Sequence, residues 1–250
     1  MYYNTKIIDY GDYIHIEHFI KGITRSEEEK EKKENIIEDK PIKKQTKEQK
    51  EHSNTVSVNR SKNNMFRIAR SNNWDYFITL TFDQKKIDSS DYNLISKLMT
   101  KYLEKLRRKN ENMKYLVVPE LHKDKKHYHF HGLIAEVDNI NFEDSGHTDK
   151  NGDIIYNIPD WKYGFSTATA IKSQSAVRNY IGKYITKELM NKLKYKKRYY
   201  CSKNVNVADI KYDNKNKSDL LDLYIDNLSY INTLNISGVN QVTYMEIKKS

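Results

Sequence analysis

The sequence predicts an α+β fold: a central antiparallel sheet with helices packed on one face, plus a charged N-terminal extension. Three observations predict it. Short runs rich in β-branched and aromatic residues occur at 76–82 (YFITLTF), 115–119 (YLVVP) and 127–137 (HYHFHGLIAEV). Two longer segments, 91–110 and 173–193, carry helical periodicity. The resulting order of strand, helix, strand, strand, helix and a last strand near 198–201 is that of helices laid on an antiparallel sheet.

Each element follows from its residues. Residues 3–20 alternate apolar and polar in two runs around Gly11-Asp12, which predicts a hairpin or paired short strands within 1–24. Residues 25–59 are dominated by Glu, Lys and Gln and cannot bury a core, so a charged, mobile linker is expected. Residues 60–72 (RSKNNMFRIARSN) read as a short basic helix that opens the main domain, 60–204. In 91–110, Leu94, Ile95, Leu98, Met99, Tyr102, Leu103 and Leu106 form one stripe, with Lys and Arg opposite. Residues 138–160 are loop-like, punctuated by Gly146, Asn151-Gly152 and Pro159. Ser173 or Ser175 is the expected N-cap of the second helix. The C-terminal extension, 205–250, is expected to hold a strand at 205–212, a helix at 218–227 and a strand at 239–247.

Composition narrows the function classes. The 250 residues carry 44 Lys and Arg against 34 Asp and Glu, a net charge of +10. The excess is concentrated: residues 53–204 hold 28 bases and 16 acids, while the flanking segments are near neutral. A basic middle points to an anionic partner, nucleic acid before others. No run approaches the ~18 apolar residues of a membrane helix, and the first residues lack the pattern of a signal peptide. One cysteine, Cys201, excludes a disulfide framework and a CxxC metal site. No GxxxxGK[ST] is present, so a P-loop ATPase is excluded.

Four of the eight histidines fall within ten residues: His122, His127, His129 and His131. On a strand, His127, His129 and His131 share one face. If the turn after 115–120 centres on Asp124-Lys125, Glu120 stands directly across from His129. Glu120, His129 and His131 are then placed to hold one divalent ion with open positions for water or a phosphate oxygen. His127 fits the same face, or belongs with His122 to a solvated hairpin tip.

A second pattern lies in Tyr180-Ile181-Gly182-Lys183-Tyr184-Ile185-Thr186-Lys187. At helical spacing Tyr180, Lys183, Tyr184 and Lys187 fall in one arc, and Ile181, Ile185 and Leu189 in another. Two phenols beside ammonium groups form a candidate nucleophile array, since nearby cations favour the phenolate. Lys187, Lys192, Lys194, Lys196, Lys197 and Arg198 are candidate contacts to a nucleic-acid backbone, with Tyr195, Tyr199 and Tyr200 as stacking platforms.

Taken in order, these pieces resemble the HUH endonuclease superfamily, specifically rolling-circle replication initiators of phages and plasmids. Phe77-Ile78-Thr79-Leu80-Thr81 is similar to the family's first motif, His129-Phe130-His131 to its metal motif, and Tyr180-Ile181-Gly182-Lys183 to its nucleophile motif. The Tyr180/Tyr184 pair is similar to that of two-tyrosine phage initiators.

The resemblance implies metal-dependent nicking and rejoining of single-stranded DNA at an origin hairpin, in the cytoplasm of a prokaryotic host. It implies Mg2+ or Mn2+ on Glu120, His129 and His131, attack by Tyr180 or Tyr184 to give a 5′-phosphotyrosine link, and a host helicase and polymerase as partners. Lys183 would position the phosphate. No membrane partner is expected, and the sequence assigns no oligomeric state. A Y1-type transposase or relaxase shares the chemistry, and a non-catalytic single-strand binder with a structural metal shares the residues.

Overall fold

The computed structural model describes residues 1–24, 46–174, 177, 193, 196–236 and 240–249. In chain order the first elements are β1 (Tyr2–Asp9), β2 (Tyr13–Thr24), α1 (Lys47–Arg70), β3 (Tyr76–Phe82), α2 (Tyr92–Lys109), β4 (Lys114–Leu121) and β5 (Tyr128–Ala135). Then follow β6 (Glu143–Thr148), β7 (Ile154–Asn157), β8 (Gly164–Ala170), β9 (Tyr200–Cys201), β10 (Asp209–Asp213), α3 (Lys217–Tyr224), β11 (Leu228–Ile236) and β12 (Asn240–Lys248). The fold is α+β with two antiparallel sheets, and the chain divides into two compact units: Met1–Thr46 with Val207–Ser250, and Lys47–Asn206.

The first unit is a five-stranded sheet in the order β10-β1-β2-β12-β11. The alternation in 3–20 does form a hairpin, turning at Gly11, whose φ of 96° lies in the left-handed region that glycine tolerates. Ile16, Met245, Ile247 and Leu220 of α3 make its small core. One strand escapes the sequence reading. β11 lies at the sheet edge, and Tyr230, Ile231, Leu234 and Ile236 are all exposed, so no buried face writes a pattern into it.

The second unit is a seven-stranded sheet in the order β6-β7-β8-β3-β5-β4-β9. α2 packs on one of its faces, where Tyr92 meets Tyr128 edge-on at 5.3 Å and Tyr200 meets Phe130 at 5.8 Å. The predicted stripe is the buried one, with Ile95, Met99, Tyr102, Leu103 and Leu106 inside, while Leu94 at its margin stays exposed. Asp91 caps the helix, its carboxylate accepting from the backbone N–H groups of Asn93 and Leu94. At about 1.5–3 kcal/mol for each large side chain fully buried, this face outweighs surface pairs such as Lys105–Asp160 (3.1 Å), which contribute under about 1 kcal/mol.

Three expectations change. The charged segment expected to be linker through residue 59 is helical from Lys47, because Val58, Met65, Ile68 and Ala69 give α1 a narrow buried face that continues the expected 60–72 helix toward the N-terminus. The segment expected as loop, 138–160, contains the β6–β7 hairpin; it sits at the outer edge of the sheet, and β6 is polar and almost entirely exposed. β8 is an additional strand, written in small residues (GFSTATA) that carry little hydrophobic signal. The expected 173–193 helix lies mostly outside the described residues; Val177 and Leu193, which are described, are buried in the core.

Candidate metal centre

The centre is built on adjacent strands. β4 and β5 pair so that Glu120 faces His129, Val118 faces His131, and Gly132 faces Val117. The turn between them is fixed locally: Lys125 takes a positive φ of 57°, and the Asp124 carboxylate accepts from the backbone N–H of Lys126 and His127. This turn sets the register that brings a carboxylate opposite an imidazole.

His127 does not join them. Its Nδ1 lies 2.6 Å from the Asp124 carboxylate at the hairpin tip, and that hydrogen bond is the main cause holding Asp124 well below the ordinary carboxylate range. The open choice among the histidines is settled geometrically, with His129 and His131 in one cluster and His127 outside it.

Glu120 Oε2 lies 2.7 Å from His129 Nε2 and 2.7 Å from His131 Nε2, and the two Nε2 atoms are 2.8 Å apart. Three lone-pair-bearing atoms therefore converge on one point. His131 is buried, and its Nδ1 is 3.0 Å from Thr79 Oγ1 on β3. With Nδ1–H donating to that hydroxyl, Nε2 is left with its lone pair toward Glu120, the tautomer a metal ligand needs. His129 is held by ring contacts instead: His122 stands edge-on at 4.3 Å and His131 at 4.6 Å.

The charges suit a cation. Burial alone would raise the Glu120 carboxyl, but hydrogen bonds from His129 and His131 outweigh it and hold the group at about 2. Burial pushes His131 below the ordinary imidazole value, against the pull of Glu120, which favours the neutral ligand form. Burial, and then the neighbouring His129, lower His122 in the same way. A single proton can bridge one pair of these atoms, whereas a divalent cation satisfies all three at once. Two imidazoles and a carboxylate fit Mn2+, or Mg2+ where it is the abundant ion. The sequence pointed to Glu120, His129 and His131. It did not reveal the Thr79 contact, which depends on β3 pairing with β5 so that Thr79 faces His131.

The remaining predicted residues are dispersed. Tyr180, Lys183, Tyr184, Lys187, Lys192 and Lys194 lie outside the described residues. Lys196 Nζ sits 5.3 Å over the Tyr92 ring, and Lys197 Nζ 4.2 Å over the Tyr200 ring. Lys197 also lines a cleft of about 480 Å³ with Arg107, Arg108 and Lys203. Arg198 is turned onto α1, donating to Ser57 Oγ at 2.8 Å and to Ser61 Oγ and Asn54 Oδ1 at 3.3 Å. No described helix is long and apolar enough to cross a membrane.

No curated protein and no solved structure matches this chain significantly. Residues 75–189, a stretch that begins at the threshold of β3 and includes all three converging side chains, match the family profile described as replication-associated protein ORF2.

Proposed function

We infer that the chain is a rolling-circle replication initiator of the HUH type, which nicks and rejoins single-stranded DNA. The observation that carries this reading is the convergence of Glu120, His129 and His131 inside the segment that matches a replication-associated family. The basic charge of residues 53–204 supports an anionic polymer as substrate.

A divalent ion bound there would act as a Lewis acid on the scissile phosphate and offset the charge that builds in the in-line transition state. The chain's own residues do the rest. Glu120 stays ionised and His131 neutral at pH 7, so the ligand set is ready without proton release. Thr79 holds the His131 ring. Tyr180, or Tyr184 four residues on, attacks phosphorus; its phenolic proton leaves and the 3′-oxygen departs as a free hydroxyl, giving a 5′-phosphotyrosine link. Lys183 and Lys187 favour the phenolate. A later hydroxyl, or the second tyrosine, takes the phosphoryl group and restores the first phenol.

The test is a covalent adduct. The protein is incubated with 5′- and 3′-labelled single-stranded oligonucleotides and Mn2+, and run on a denaturing gel. A shifted band that disappears with EDTA and with Tyr180→Phe or Tyr184→Phe supports the reading. A single-strand binder with a structural metal would give no adduct and would be indifferent to both substitutions.

A further inference from the structure

The face of the sheet that carries the metal triad also carries an exposed aromatic in line with it. Strand register places Glu120, His129, Thr81 and Phe165 in one row across β4, β5, β3 and β8. Directly paired residues point to the same face. Phe165 is 75% exposed, the most exposed large hydrophobic side chain among the described residues. The next row is Val118, His131, Thr79 and Thr167, so threonines floor the space between Phe165 and the imidazoles. At about 4.8 Å per strand, Phe165 stands two strands, or ~10 Å, from His129.

The position is rigid. β8 meets β3 so closely that a Cβ on Gly164 would lie 2.3 Å from the Thr81 carbonyl oxygen. Trp161 Nε1–H donates to that same carbonyl at 3.0 Å, and Asp83 N–H donates to the Tyr163 carbonyl at 2.9 Å. A solvated phenylalanine on so fixed a backbone gains nothing for the fold. A ring flanked by threonines, on a unit with a large positive charge, is poorly suited to a dry protein interface and well suited to a nucleobase, whose flat face stacks while its phosphates stay in water.

We propose that Phe165 is the stacking platform for one unpaired base of a single-stranded nucleic acid whose backbone crosses the Thr79–Thr81–Thr167 floor to the Glu120–His129–His131 centre. The proposal rests on the nuclease reading for the location of the scissile phosphate, and it adds a residue that fixes the strand's register there.

The test uses fluorescein-labelled oligonucleotides and anisotropy in EDTA, so that binding is read apart from catalysis. Phe165→Ala is expected to weaken single-strand binding about tenfold, within the range found for one base–aromatic stack. Phe165→Trp is expected to restore it, with indole emission quenched as DNA is added. An abasic site scanned along the strand should weaken the wild type about tenfold at one position and leave Phe165→Ala unchanged there. Binding of Phe165→Ala within twofold of wild type, or no single sensitive position, overturns the proposal. So does concentration-dependent self-association of the wild type that Phe165→Ala abolishes while DNA affinity is unchanged. The two readings separate cleanly. An adduct from the wild type with DNA binding indifferent to Phe165 removes only the platform. Phe165-dependent binding with no adduct under Mn2+ or Mg2+ removes only the nuclease. Absence of single-strand binding removes both.

Discussion

Thr79 Oγ1 on β3 and His131 Nδ1 on β5 are 3.0 Å apart across a directly paired position. The hydroxyl anchors that ring nitrogen and selects which nitrogen carries the proton. Partners of this kind typically contribute 10–100-fold in metal affinity. Thr79→Val keeps the shape and removes the acceptor. Mn2+ affinity, measured by titration calorimetry, is expected to fall about 10–100-fold, with the circular dichroism spectrum unchanged; Thr79→Ser should recover most of it.

Glu120 supplies the only negative charge of the centre among the described residues. Glu120→Gln keeps its volume but leaves two imidazoles around a neutral amide, so Mn2+ should no longer raise the thermal midpoint. For the wild type, ligand at a hundred times its Kd contributes about 2.7 kcal/mol to the folded state. For a unit of this size, that corresponds to a rise of roughly 5–10 °C in a differential scan. Equal shifts in both proteins would mean that the ion sits elsewhere.

How far residues alone lead is visible in this centre. A β-strand repeats every two residues and a hairpin turn fixes register, so His129, His131 and the facing Glu120 are legible from one short stretch. Thr79 lies far upstream in the chain and meets His131 only through sheet order, which no local period encodes. The same reasoning covers the elements. α2 shows its stripe because one side packs on a sheet and the other is wet. β6, β8 and β11 are hidden because edge position and small or polar residues leave no alternation to detect. The N-terminal hairpin is legible, but its pairing with β10 and β12 is not, since those strands come from the opposite end of the chain.

The centre should also make stability pH-dependent in a defined direction. His131 has a folded value below its ordinary 6.5, so the unfolded chain takes up a proton first as pH falls. Its contribution is complete above about 6.5 and declines below it. Glu120 is shifted from 4.5 to about 2, so its contribution is complete above 4.5 and is lost between 4.5 and 2. Urea midpoints of the metal-free protein are expected to fall from about pH 7 to 5.5 and to fall further from about 4.5 to 3. Glu120→Gln should flatten the second decline, because glutamine has no proton to take up. A midpoint that rises on acidification would contradict both shifts.

Neighbouring basic residues at 197 and 198 should part company under mutation, although in sequence they look alike. Arg198 donates three hydrogen bonds to Ser57, Ser61 and Asn54, and so ties the chain before β9 to α1. Lys197 is exposed and faces a cleft shared with Arg107, Arg108 and Lys203. Hydrogen bonds to a charged group contribute about 1.5–3 kcal/mol when buried, and less when partly exposed. Arg198→Ala is therefore expected to lower the free energy of unfolding by about 1–2 kcal/mol, while the salt dependence of single-strand binding stays as in the wild type. Lys197→Ala is expected to leave unfolding unchanged and, if the cleft carries phosphate, to reduce the slope of log K against log salt by about 0.7, the value for one phosphate no longer neutralised. Denaturant melts and salt-titrated anisotropy on the two variants measure both quantities. The opposite assignment, with Arg198 changing the slope and Lys197 the stability, would show that the guanidinium leaves α1 when DNA binds.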